Sequence, residues 1–176
     1  VNNRYVGDSG EKTVLSTRFT TPEAMVLQHL LREMADAGVR YVIMEVSSHA
    51  LTQYRISNIR FKVAAFTNFS RDHLDYHVSM ESYLAAKLNL FSKHMVQDGV
   101  AVLPGRTARK DEQVWHRELV AHCETYCQKI VYWGEGEDAD VRLIDYTSAL
   151  DRTVLDLLPG DAEKIRLCSP LVGRFN

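Results

Sequence analysis

A chain of 176 residues, 45% hydrophobic and 25% charged, has the balance of one folded domain, which excludes a disordered or low-complexity segment. Its 21 basic and 23 acidic residues leave a formal net charge of −2, which excludes the basic field that nucleic-acid and anionic-membrane binders need. No apolar run approaches the roughly eighteen residues of a membrane span, Val1-Asn2-Asn3-Arg4 does not begin a signal peptide, and 3 cysteines cannot build a disulfide framework, so the expected compartment is the cytoplasm.

The chain opens on Val1 and not on Met, and is expected to be a segment of a longer protein. Gly7, Asp8, Ser9 and Gly10 form a turn between two short extended pieces. Thr21-Pro22-Glu23 announces a helix, with the hydroxyl as cap and the proline in the first turn. Leu27, Leu30, Leu31 and Met34 continue it at helical spacing, and Gly38 stops it. Tyr41 through Val46 is a nearly continuous apolar run that predicts a buried parallel strand with Glu45 near its carboxyl end. Val63 through Thr67 predicts a second such strand, ending in Asn68.

A helix from Ser79 to about Met95, a strand over Val100–Leu103, a helix around Asp111–Cys123 and a strand over Ile130–Trp133 continue the alternation. That pattern predicts an α/β fold with an open, mostly parallel sheet and flanking helices. Val141–Ile144, Thr153–Leu158 and Lys164–Cys168 then read as short strands without intervening helices, an antiparallel ribbon at one edge of the sheet.

In open α/β sheets, ligands collect beyond the carboxyl ends of the strands, and two polar clusters fall there. One is Glu45-Val46-Ser47-Ser48-His49 with Gln53 and Arg55; the other runs from Asn68 through Arg71-Asp72-His73-Leu74-Asp75-Tyr76-His77. Such oxygen and imidazole donors suit Mg²⁺ or Mn²⁺, the hard cations that accompany nucleotide phosphates. The competing reading is that these side chains cap helices and satisfy loop amides, and spacing alone favours it. Lys87 has the same duality. Beside Ala85, Ala86 and Leu88 it is either a desolvated amine with a special role or a lysine whose stem snorkels to water, and periodicity alone favours the second. Cys123 and Cys127 could be half of a metal site, but without a second pair nearby they read as packing residues. Neither G-x-x-x-x-G-K-[ST] nor G-x-G-x-x-G occurs.

Four ordered strings carry a resemblance: Thr20-Thr21-Pro22-Glu23, Met44 through Leu51, Phe66-Thr67-Asn68 through His77, and Tyr83 through Phe91, with a resumption at Pro170 through Asn176. They resemble the central, nucleotide-handling domain of the Mur ligases, in particular the branch that extends UDP-MurNAc-L-Ala-D-Glu. The resemblance implies an ATP-dependent, amide-bond-forming ligase of peptidoglycan synthesis that adds diaminopimelate or lysine through an acyl phosphate. It implies that Glu45 and His73 hold Mg²⁺ and that Lys87 is carbamylated and helps place a second Mg²⁺. Thr20, Thr21, Ser47, Gln53 and Arg55 match positions that hold the UDP-MurNAc-dipeptide; Asn68 and Asp72 shape the metal loop, and Asn176 falls near the adenine of ATP. Val78 stands where a glycine is commoner. The family's phosphate loop is expected before residue 1 and its C-terminal domain after residue 176, leaving residues 1–176 a central-domain fragment, inactive alone. Two alternatives stay open: a folylpolyglutamate or cyanophycin synthetase type of ligase, and a non-catalytic sugar-nucleotide-binding module.

Overall fold

The computed structural model describes residues 2–8, 10, 12–105 and 112–171. The chain divides into two units, residues 1–60 with 71–90, and residues 61–70 with 91–176.

The first unit opens on a hairpin, β1 (Asn2–Val6) paired antiparallel with β2 (Lys12–Ser16). Helix α1 (Ala24–Asp36) follows, burying Leu27, Leu30 and Met34 at the three- and four-residue intervals of an apolar stripe. Its cap differs from the sequence expectation. Glu23 is the N-cap, in extended backbone and without a side-chain hydrogen bond. Thr21 is not available for that role, because its hydroxyl is committed to residues 45 and 47 far along the chain. The other end of α1 is shaped by two glycines. Gly38 takes φ +79, and a Cβ on Gly7 would lie 2.5 Å from the Ala37 carbonyl oxygen. The hairpin turn therefore closes on the helix terminus, with Asp8 N–H donating to Ala37 O at 2.9 Å.

The buried strand expected over Tyr41–Val46 is absent: residues 39–47 carry no strand assignment, and Tyr41 is 88% and Ile43 98% exposed. An apolar run records a demand for burial, but a ladder also needs a neighbouring backbone, and none of the described residues supplies one. The chain then forms the short helix α2 (Ser48–Thr52). After the excursion into the second unit it returns in the single turn α3 (Leu74–His77) and in α4 (Met80–Lys93).

The second unit is a six-stranded sheet of β3 (Phe61–Ala65), β4 (Met95–Pro104), β5 (Lys129–Gly134), β6 (Val141–Ser148), β7 (Thr153–Pro159) and β8 (Ile165–Ser169), ordered as in the sequence. Pairs β3–β4, β4–β5 and β5–β6 are parallel, the last through Trp133↔Val141 and Gly134↔Arg142 only; β6–β7 and β7–β8 are antiparallel. Helix α5 (Glu112–Tyr126) connects β4 to β5. The predicted α/β sheet with its antiparallel ribbon is therefore the observed one.

Ala64, Phe66, Phe91, Ala101, Leu103, Leu119 and Cys123 are buried in this unit, and the Phe66 and Trp115 rings stack at 5.6 Å. On β7 the buried Asp156 carboxylate accepts from Arg166 Nε at 2.7 Å and Lys164 Nζ at 3.0 Å, which holds it well below the usual carboxylate range. Among the described residues no group of three or more His, Cys, Asp or Glu side chains could hold a metal ion; Cys123 is buried and Cys127 partly buried, and burial raises both thiols. No helix among the described residues is long and apolar enough to cross a membrane.

Candidate functional site

The candidate site belongs to the first unit and is built from two hydrogen-bonded clusters. Thr21, 1% exposed, anchors the first. Its hydroxyl donates to Glu45 O at 2.8 Å and accepts from Ser47 N–H at 3.1 Å, so it splices the entry to α1 onto the extended segment before α2. Ser47 caps α2, its Oγ accepting from Ala50 N–H at 3.2 Å. Arg55 closes the cluster from the far side of α2. Its Nη1 donates to Thr21 O and its Nε to Gln53 Oε1, both at 2.9 Å, while the guanidinium lies 4.3 Å over the Phe19 ring. Four of the five residues expected to hold the UDP-linked substrate, Thr21, Ser47, Gln53 and Arg55, are thus joined in one network. Thr20 is exposed and lines, with Pro22, Leu27 and Glu45, a cavity of about 540 Å³.

The second cluster is aromatic. His73 enters α3 in the left-handed conformation at φ 55, and its N–H donates to Asp72 Oδ1 at 2.7 Å. The His73 ring meets Tyr83 edge-on at 5.6 Å and His49 at 5.1 Å. Lys87 Nζ lies 5.1 Å over the same Tyr83 ring, one helical turn further along α4. Burial lowers the Lys87 pKa, and the Glu45 carboxylate opposes that shift electrostatically. Lys87 is half-buried, with its ammonium on the Tyr83 ring.

Thus His73 and Lys87 share one ring and Glu45 acts electrostatically on Lys87. Glu45 sits on the extended segment and not at the end of a paired strand, which corrects the route by which the sequence placed it there. Asn68 follows β3 in the second unit and is exposed. Asn176 lies outside the described residues.

Ser48 and His77 fall inside the two polar clusters and Tyr83 inside a resembling string, but none of the three is assigned a role in the site by the sequence. Tyr83 and His77 are buried, stacked 5.1 Å apart, and Ser48 Oγ lies 2.8 Å from His77 Nε2. For Tyr83 the signal was present in the spacing: Tyr83 and Lys87 are four residues apart, which on helical backbone places side chains as neighbours.

Residues 4–176 match the family model described as the Mur ligase middle domain. The chain belongs to the Mur ligase middle-domain family. Among its relatives is the UDP-N-acetylmuramoyl-L-alanyl-D-glutamate–2,6-diaminopimelate ligase of Geobacter sulfurreducens, 40% identical over 159 residues, covering 89% of this chain and 30% of the relative. Another is UDP-N-acetylmuramyl-tripeptide synthetase 2 of Oceanobacillus iheyensis, 39% identical over 164 residues, covering 92% of this chain and 31% of the relative.

A solved structure of a UDP-N-acetylmuramoyl-L-alanyl-D-glutamate–2,6-diaminopimelate ligase superposes on the Mur middle domain with TM-score 0.71 at 28% identity, covering 99% of this chain and 34% of that one. The MurF ligase of Thermotoga maritima, solved with ADP, shares the fold at TM-score 0.53 and 15% identity, covering 87% of this chain and 33% of that one. The chain spans about a third of the length of these relatives.

Proposed function

We propose that this Mur middle domain is the central part of a longer cytoplasmic, ATP-dependent ligase that adds diaminopimelate or lysine to UDP-MurNAc-L-Ala-D-Glu. The observation that carries the reading is Lys87, a desolvated amine on the Tyr83 ring beside His73 and within electrostatic reach of Glu45. The free thiols of Cys123, Cys127 and Cys168 accord with a reducing compartment.

In this reaction the D-Glu carboxylate attacks the γ-phosphate of ATP and releases ADP. The amine of the incoming amino acid then attacks the acyl phosphate carbonyl, forming the amide and releasing phosphate. Every group before the amine is anionic, so the site must offset charge without supplying a nucleophile of its own. The donor chemistry fits Mg²⁺: Glu45 offers carboxylate oxygens and His73 an imidazole nitrogen. When bound, the metal supplies positive charge to the phosphate oxygens.

Lys87 has the complementary role. As an ammonium it would repel the metals; as a carbamate it offers oxygen ligands in place of positive charge. Its desolvation favours the neutral amine that reacts with CO₂. Thr20, Ser47, Gln53 and Arg55 hold and orient the UDP-linked dipeptide, the buried Thr21 fixing the Ser47 backbone and the Arg55 guanidinium being pre-aimed by Gln53 and Phe19.

The test is made on the complete ligase. Carbon-13 NMR with labelled bicarbonate should show a carbamate resonance that Lys87→Ala removes. Lys87→Ala should abolish most ligation, and Lys87→Arg should not restore it. Wild-type activity without the resonance, or full activity in Lys87→Arg, would refute the reading.

A further inference from the structure

We propose that the buried Ser48–His77 hydrogen bond is the positioning contact that orients the His73 imidazole toward Tyr83 and Lys87, an inference that rests on the role given to His73 above. The turn that carries His73 is poorly disposed by its own backbone. It has four residues, is preceded by His73 at φ 55 and followed by Val78 at φ 67, and neither flanking residue is glycine. Left-handed backbone at non-glycine residues, a β-branched valine above all, persists only where surroundings over-determine it.

The candidates for that constraint are few. Tyr76 OH meets Thr52 Oγ1 at 3.0 Å and Gln53 Nε2 at 3.3 Å, but these contacts are exposed and compete with water. His77 Nε2 meets Ser48 Oγ at 2.8 Å, with His77 6% and Ser48 2% exposed. A buried polar pair is costly to leave unmade, so this bond discriminates between turn conformations where the exposed ones do not. Backbone contacts complete the arrangement. His77 N–H donates to His73 O at 2.9 Å, and His77 O accepts from Ser79 N–H at 2.7 Å and from Ser82 Oγ.

Ser48 is the residue after the α2 cap Ser47, and His77 stacks on Tyr83 at 5.1 Å. One bond therefore registers α2, α3 and α4 together. Neither partner is assigned to substrate or metal, which makes them positioning residues and separates their test from that of Lys87.

The test uses the complete ligase. Nuclear Overhauser contacts between the His73 and Tyr83 rings, and the coupling constant that reports the His73 φ, are compared in wild type, Ser48→Ala and His77→Gln. Backbone amide signals of β1, β2 and α1, which belong to the same unit as the substituted residues, report the fold. The expected result is loss of the His73–Tyr83 contact and of the left-handed coupling in Ser48→Ala, with both retained in His77→Gln, whose amide can still reach Ser48. Retention of both in folded Ser48→Ala overturns the proposal. Should Ser48→Ala not fold, nitrogen-15 shifts of the wild-type His77 ring decide: a single locked tautomer supports the bond, and a freely exchanging one overturns it. Loss of the contact in a protein whose Lys87 carries no carbamate would overturn the catalytic reading and leave the positioning role intact.

Discussion

Val78 is a β-branched residue at φ 67 and 88% exposed, so its side chain gains almost nothing from packing while its backbone is strained. Such strain costs on the order of 1–3 kcal/mol, against up to about 1 kcal/mol of unfolded-state entropy that glycine adds. Val78→Gly should therefore stabilise the chain by about 1 kcal/mol, read as a raised urea midpoint at unchanged slope. Thr21 gives the opposite case. Thr21→Val conserves shape but leaves the Ser47 N–H and Glu45 carbonyl without their shared partner, and should cost about 1–3 kcal/mol in the same titration. Locally, a hydroxyl before Pro-Glu reads as a helix cap; its true partners are 24 and 26 residues away, a distance that no local spacing rule spans.

The legible elements are those whose signal and stabilisation are both local. Helix α1 follows its apolar stripe, and β4, β5 and the three ribbon strands fall on their apolar runs. Tyr41–Val46 was misread because a strand is a property of a pair. α3 escaped notice because a four-residue turn has no period, and its packing is carried by a histidine. That histidine makes the element sensitive to acid. Burial, and then the neighbouring His49, hold the His77 pKa below the usual value. In the unfolded chain it takes up its proton near pH 6.5, and in the folded chain only at lower pH. Its contribution is complete above about pH 6.5 and is lost as the pH falls toward the folded pKa. Urea midpoints should drop between pH 7.5 and pH 5.5, and less steeply in His77→Gln; equal slopes would disprove the assignment.

At the scale of the molecule, the candidate site was legible as a set of residue types but not as a route of assembly. Glu45 reached Lys87 from an unpaired segment, and the Tyr83 ring that unites Lys87 with His73 carries no charge to betray it. The sequence contains no phosphate-cradling glycine loop, so calorimetry of the 176-residue chain with Mg-ATP should show little heat; micromolar binding would reveal a phosphate site of another kind. The sheet carries a different consequence. Its spatial order, β3-β4-β5-β6-β7-β8, repeats its order along the chain, yet the loops closed by successive pairs differ greatly in length. Joining β6 to β7 closes the four residues 149–152, and joining β7 to β8 closes 160–164, whereas β3 must wait for residues 66–94 before it meets β4. Short loops close in well under a microsecond and long ones bear a larger entropic cost before any contact rewards them. The ribbon should accordingly form first and template the parallel strands, so that during refolding amides of β6 to β8 gain protection from solvent exchange ahead of those of β3.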